Sequence, residues 1–292
     1  MKTPRAMSRR SLFHAAATSL AGALLVPETL ADAIRNDGKR NDNLKQSVCR
    51  WCYKDISLED LARNSAHIGL KSVELLIPEE WPVVMKYGLT CAMGSGGDQI
   101  TIGFNRKENH DSRVRNMLEL IDLAADAKVP NVICFSGNRG GMSNEEGLEN
   151  CVIGVKRIIG AAERKGVTVC MELLNSKVDH KDYMCDHTDW GVRLVKKVGS
   201  PRFKLLYDIY HMQIMEGDVI RTITENWDCI AHFHTGGNPG RHEIDETQEL
   251  NYRAICKAIV DKGFTGYLAQ EFIPTRDPMT SLAQSFRICD VG

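Results

Sequence analysis

Gly166-Val167-Thr168-Val169-Cys170-Met171-Glu172 is the stretch on which the fold class turns. From Val167 to Met171 it is nearly apolar on both faces, which marks a strand of a parallel sheet with helices packed on each side. A helical pattern over residues 145–165 precedes it, and Gly166 stands where a left-handed helix terminator is wanted. The strand then ends on an acid, Glu172. The same unit recurs in both directions along the chain. Strands are expected at 47–52, 72–77, 89–93, 131–136, 167–173, 203–207, 230–235 and 266–271. Helices are expected at 58–67, 79–87, 110–127, 145–165, 188–198, 219–226 and 252–262, with a last one at 277–289. Ser57-Leu58-Glu59-Asp60 fits a capping box, and Gly69, Gly88 and Gly263 repeat the role of Gly166. Eight strand–helix units with no leftover segment predict an α/β fold, a single-domain (β/α)₈ TIM barrel over residues 44–292. An open dinucleotide-binding sheet would need G-x-G-x-x-G after an early strand, and Met93-Gly94-Ser95-Gly96-Gly97 lacks that spacing.

The chain has 292 residues, 43% of them hydrophobic and 26% charged, enough for an independent core. A formal net charge of -1 and a pI near 6.8 argue against a nucleic-acid partner and give no support for an electrostatic membrane anchor, both of which need concentrated positive charge. Ser8-Arg9-Arg10-Ser11-Leu12-Phe13, the apolar run from Ala15 to Val26 and Ala31-Asp32-Ala33 describe a twin-arginine signal peptide over 1–33 with a cleavage site. Residues 34–43 read as a linker. The mature protein is therefore expected in the periplasm or otherwise outside the cytoplasm, with no stable membrane anchor after cleavage; assembly into a homo-oligomer is left open. Of ten cysteines, most sit at scattered spacings in apolar segments, as small buried hydrophobes do. Cys49-Arg50-Trp51-Cys52 has redox or zinc spacing, but no second pair lies near it and packing is the better reading.

Barrel enzymes carry their chemistry at the carboxyl ends of the strands, so the ionisable residues there are the site candidates. The last four expected strands end Cys170-Met171-Glu172, Leu206-Tyr207-Asp208, His232-Phe233-His234 and Ala269-Gln270-Glu271. Side chains alternate, so each terminal Glu172, Asp208, His234 or Glu271 shares a face with the residue two before it. If those faces point inward, three carboxylates and an imidazole meet. Close like charges repel by about 4 kcal/mol per pair at 4 Å even at an effective dielectric near 20. A divalent ion cancels that repulsion, and carboxylates with one imidazole suit Mn²⁺, Mg²⁺, Co²⁺ or Zn²⁺ without choosing among them. Singly, each acid could equally be a cap or an ion-pair member. His232, one pleat deeper, is open between supporting the site and packing. Arg50, Trp51, Glu74 and Arg139 are candidates for the wall over the first four strands.

Two motifs at these strand ends carry a family resemblance. Tyr207-Asp208-Ile209-Tyr210-His211-Met212-Gln213-Ile214-Met215-Glu216-Gly217-Asp218 and Asn238-Pro239-Gly240-Arg241-His242-Glu243 resemble the hydroxypyruvate isomerase family of xylose-isomerase-like barrels, whose relatives include ketose 3-epimerases. The likeness spans residues 45 to 290, and Val73-Glu74 and Glu271-Phe272 fit it. It implies that Glu172, Asp208, His234 and Glu271 bind a divalent metal, that Glu172 and Glu271 are the acid–base pair, and that His211 and Arg241 hold oxygens of the substrate. It implies an isomerase moving a proton beside a carbonyl through an enediolate, on a small hydroxy-carbonyl compound or sugar. His234 stands where the isomerases often carry Gln and the epimerases carry His, and the loop Asn175-Ser176-Lys177-Val178-Asp179-His180 departs from the isomerase pattern. A ketose 3-epimerase, a keto-sugar lyase or dehydratase, a metallonuclease and a periplasmic sugar-binding protein are the competing readings.

Overall fold

The computed structural model describes residues 40–292, so the expected leader at 1–33 and residues 34–39 of the expected linker lie outside the described residues. The rest of that linker is tied to the barrel. Arg40 donates to the Ile68 carbonyl at 2.8 Å, and the Asn41 backbone N–H donates to the Asp290 carboxylate at 3.0 Å. No helix among the described residues is long and apolar enough to cross a membrane.

Seven parallel strands form the sheet: β1 (Lys45–Cys49), β2 (Ser72–Glu74), β3 (Asn131–Cys134), β4 (Thr168–Glu172), β5 (Phe203–Asp208), β6 (Ile230–Thr235) and β7 (Tyr267–Gln270). Their spatial order is β2-β1-β7-β6-β5-β4-β3. Every residue of β2, β3 and β4 is buried, as parallel strands covered by helices require. The covering helices are α1 (Leu58–Ile68), α2 (Trp81–Met85), α3 (His110–Asp126), α4 (Asn144–Lys165), α5 (Thr188–Val198), α6 (Ile209–Met215), α7 (Val219–Glu225), α8 (Tyr252–Asp261) and α9 (Pro278–Cys289). Local chemistry sets their ends. Ser57 Oγ accepts the Asp60 N–H at 3.1 Å at the start of α1, and Gly69 (φ 114°) and Gly166 (φ 73°) close α1 and α4 in the left-handed region. The fold is an α/β, TIM-barrel-like single domain.

Three expectations need correction. The segment at 89–93 is not a ladder strand; it makes isolated parallel bridges, Ser72 with Thr90 and Leu76 with Gly94 on one side and Gly94 with Val132 on the other. Side chains replace the ladder in its middle. Ser72 Oγ accepts the Ala92 N–H at 2.8 Å, and the Asn131 side-chain amide donates to the Ala92 carbonyl at 2.8 Å. At Gly94 the backbone passes so close to its neighbours that an added Cβ would lie 2.9 Å from the Trp81 ring. The first expected strand stops at Cys49, because Arg50–Tyr53 turns as a 3-10 helix and swings Trp51 over the barrel mouth. Finally, α6 follows β5 without a loop, unforeseen because Asp208 both ends the strand and caps the helix, accepting the His211 N–H at 3.1 Å.

All ten cysteines are free, and all but Cys52 are buried. They pack rather than cross-link, as their spacing suggested.

Asn131→Ala removes the side-chain donor to the Ala92 carbonyl inside the protein. The expected cost is about 1–3 kcal/mol, seen as a lower urea midpoint with an unchanged slope. A midpoint equal to the parent's would contradict the bridging role.

Candidate active site

The four candidate residues from the last strands meet at the carboxyl end of the sheet. Glu172 ends β4, Asp208 ends β5, His234 lies on β6 and Glu271 directly follows β7. All four are buried, and one ligating atom from each lies within 4.8 Å of the others. The register explains it: Asp208 pairs with His234, and His234 with Ala269, two residues before Glu271, so one inward face recurs on neighbouring strands.

His234 is the hub. Its Nδ1 lies 2.9 Å from Glu271 Oε2 and 3.4 Å from Glu172 Oε1, while its Nε2 lies 2.9 Å from Glu74 Oε1. Glu74 Oε1 also takes His232 Nε2 at 2.7 Å. His232, left open between support and packing, thus braces a fully buried carboxylate. Burial works against charge on Glu74, yet the two imidazoles outweigh it and hold its pKa down at about 2.

Arg241 reaches the acids from the loop after β6. Its Nη2 lies 2.5 Å from Glu271 Oε2 and 3.2 Å from Asp208 Oδ2. Its guanidinium stacks between the Trp51 and Tyr210 rings, 5.0 and 5.2 Å from their centroids. The Arg241 backbone is left-handed (φ 59°), an arrangement that the Ile273 N–H bonded to the Arg241 carbonyl at 2.7 Å helps hold. Glu243 anchors the same loop. Its buried carboxylate accepts the Thr275 N–H at 2.9 Å and the Thr275 and Ser281 hydroxyls at 2.8 Å each.

The environments push the two glutamates apart. Burial raises the pKa of Glu172, with the charge of Glu271 adding to the effect. Burial also opposes ionisation of Glu271, but Arg241 and His234 outweigh it and lower that pKa well below the usual carboxylate range. Burial likewise raises Asp208. His211 is fully buried and held neutral by burial, with Arg241 adding to the shift; its Nε2 stands 3.6 Å from Asp208 Oδ2.

A cavity of about 370 Å³ opens over these groups, lined among others by Trp51, Ile100, Phe135, Glu172, Arg241 and Glu271. A larger depression of about 610 Å³ near Asp245, Tyr252 and Arg287 holds none of the clustered acids, so chemistry rather than size locates the site. Of the wall candidates, Trp51 lines the cavity and donates its indole N–H to Glu271 Oε1 at 2.7 Å. Glu74 lies beneath the cluster. Arg139 is committed to Asp186 at 2.8 Å, and Arg50 donates to the Tyr53 carbonyl at 2.5 Å. Sequence reasoning named Glu74 and Trp51 only as wall candidates, without their contacts to the cluster, and missed the role of Asn175, whose amide Nδ2 stands 2.6 Å from His211 Nδ1. The one available signal was that the 175–180 loop stood out as unusual.

The donor set fits a divalent cation. Three carboxylates and one imidazole converge within reach of a single ion, and the Glu74 contact at Nε2 turns Nδ1 of His234 toward the carboxylates, the usual second contact of a ligating histidine.

A family model described as xylose isomerase-like TIM barrel matches residues 65–289. Among curated proteins, 2-oxo-tetronate isomerase of Cupriavidus necator is 36% identical over 114 residues, 39% of this chain and 43% of that protein. Hydroxypyruvate isomerase of Escherichia coli is 36% identical over 105 residues, 35% of this chain and 40% of that protein. The matched stretches thus span less than half the length of those relatives. Among solved structures, 3-keto-D-glucoside 4-epimerase of E. coli aligns with a TM-score of 0.71 at 19% identity, covering 84% of this chain and 100% of that one, a likeness in fold alone.

The contacts of Glu243 make a pH prediction. Its pKa is lowered to about 2, because the Thr275 N–H and the Ser281 and Thr275 hydroxyls outweigh burial. A depressed carboxylate stabilises the fold above its unfolded pKa of about 4.3 and loses that contribution as pH falls toward about 2. Urea midpoints of the parent and Glu243→Gln are therefore expected to differ at pH 6 and to converge as pH falls below about 4. A gap that stays constant or widens on acidification would refute it.

Proposed function

The chain belongs to the xylose isomerase-like TIM barrel family, and from that premise we propose that it is a divalent-metal-dependent isomerase of small hydroxy-carbonyl compounds. The convergence of Glu172, Asp208, His234 and Glu271 carries this reading. The isomerase activities for which the curated relatives are named support it.

In the proposed reaction Glu172, Asp208, His234 and Glu271 would hold the metal. When bound, a divalent cation there supplies Lewis-acid polarisation of a substrate carbonyl. The protein's own groups do the rest. Glu271, kept ionised by Arg241 and His234, takes the proton from the carbon beside the carbonyl, leaving an enediolate. The same carboxylate, or Glu172 facing it, returns a proton to the neighbouring carbon while the hydroxyl proton passes to the former carbonyl oxygen, so that the C–H and the O–H lost are each matched by one gained. Arg241 and His211 hold the substrate oxygens. Trp51 covers the mouth and fixes Glu271 through its indole N–H, limiting water at the reacting carbon.

Ketose 3-epimerisation is the second reading, favoured by His234 at the position where the isomerase pattern often has Gln. Proton return to the opposite face of the same carbon would then invert its configuration. The same proposal places the mature protein outside the cytoplasm on the strength of residues 1–33, with a small hydroxy-carbonyl or sugar molecule as its partner.

With hydroxypyruvate and D-fructose as substrates, Glu172→Gln and Glu271→Gln are each expected to lower kcat by about 10²–10⁴-fold while circular dichroism stays that of the parent. Chelation should abolish turnover of the parent, and Mn²⁺ should restore it. Parent-like kinetics in either variant, or full activity after chelation, would reject the assignment. For the export reading, Arg9→Lys with Arg10→Lys is expected to retain the protein in the cytoplasmic fraction with its leader uncleaved; periplasmic recovery equal to the parent's would sink it.

A further inference from the structure

His211 and the loop after β4 hold a feature that the acid cluster does not explain. Asn175 and His211 are both fully buried. The Asn175 side-chain oxygen accepts two backbone N–H groups, from Val178 at 3.0 Å and Asp179 at 2.9 Å. Backbone amides donate only, so these two contacts settle which end of the side-chain amide is oxygen. The other end is therefore NH₂. It donates to Asp179 Oδ2 at 2.6 Å and meets His211 Nδ1 at 2.6 Å. The Tyr210 hydroxyl donates to the same Asp179 oxygen at 2.9 Å and keeps that acceptor in place.

A nitrogen facing an N–H donor at this distance must present a lone pair. Protonation of His211 at Nδ1, alone or as imidazolium, would set N–H against N–H between two fully buried side chains. The proton is therefore on Nε2. That atom is buried and has no hydrogen-bond partner among the described residues; it stands near the acid cluster, 3.6 Å from Asp208 Oδ2.

We propose that Asn175 is a positioning residue that locks His211 as the neutral Nε2–H tautomer, making it an obligate donor to an electron-rich substrate oxygen, a carbonyl or the enediolate formed from it. This rests on the reading of the cluster as an isomerase site. It also excludes His211 as a base that takes a hydroxyl proton, since its free lone pair is already engaged by Asn175. A donor aimed where negative charge develops favours the transition state over bound substrate, so the loss of Asn175 belongs in kcat more than in KM.

The test begins with the unmodified chain. With imidazole-¹⁵N histidine and Mg²⁺ as the added ion, two-bond ¹H–¹⁵N spectra distinguish the tautomers, and the His211 signals are those lost in His211→Gln. The expected pattern is a protonated Nε2 and a lone pair at Nδ1. An Nδ1-protonated or doubly protonated His211 overturns the proposal. A second arm compares Asn175→Asp/Asp179→Asn with Asp179→Asn alone, so that no new carboxylate pair is created. A carboxylate at 175 accepts from Nδ1–H, so the spectrum should switch tautomer, and kcat on hydroxypyruvate or D-fructose should fall about ten- to hundredfold with a smaller change in KM. A role limited to holding the loop predicts no switch in this near-isosteric variant, and an unswitched spectrum rejects the proposal. If the parent turns over neither compound, the isomerase reading is what fails, while the parent spectrum still decides the tautomer.

Discussion

Three carboxylates buried at one end of a barrel are tolerable only with positive charge or protons among them, and the surroundings are arranged to meet that demand. At about 4 Å and an effective dielectric near 20 a pair of like charges costs about 4 kcal/mol, a large share of a domain's net stability of about 5–15 kcal/mol. His234 and Arg241 lie between the acids, and burial pushes Glu172 and Asp208 toward their neutral forms. The same repulsion makes the cluster receptive to a cation.

That constraint propagates outward. His234 turns one nitrogen to the acids and the other to Glu74, and Glu74 needs His232 to be ionised in a fully buried position. Arg241 is held by the left-handed backbone of its loop and by two aromatic faces. Glu243 ties that loop to Thr275 before α9 and to Ser281 within it, through backbone and hydroxyl donors. Residues from five strand ends and their loops therefore share one electrostatic problem, which is why the site is assembled from rigid elements.

Much of the fold was legible because its signals are local. Apolar runs bounded by helix terminators located all seven ladder strands, and the alternation of side chains was enough to gather Glu172, Asp208, His234 and Glu271 on one face. Where local signals misled, a long-range contact had replaced a local one. Residues 89–93 have the composition of a strand, but Ser72 and Asn131 supply from their side chains the partners that a ladder would give. Asp208 was legible as a strand end and not as a helix cap, since both roles fall on one residue.

The sequence by itself determined the alternating strand–helix units, the acids that end the strands and the motif around Asp208 and Arg241, because each depends on neighbours a few residues apart. Only the tertiary structure decided that Trp51 would lie against Glu271, that Glu74 would receive two histidines from β6 and that Asn175 would meet His211. Those pairings join residues 36 to 220 positions apart. Which donor meets which acceptor there depends on sheet register and loop path, quantities that exist only once the barrel has formed.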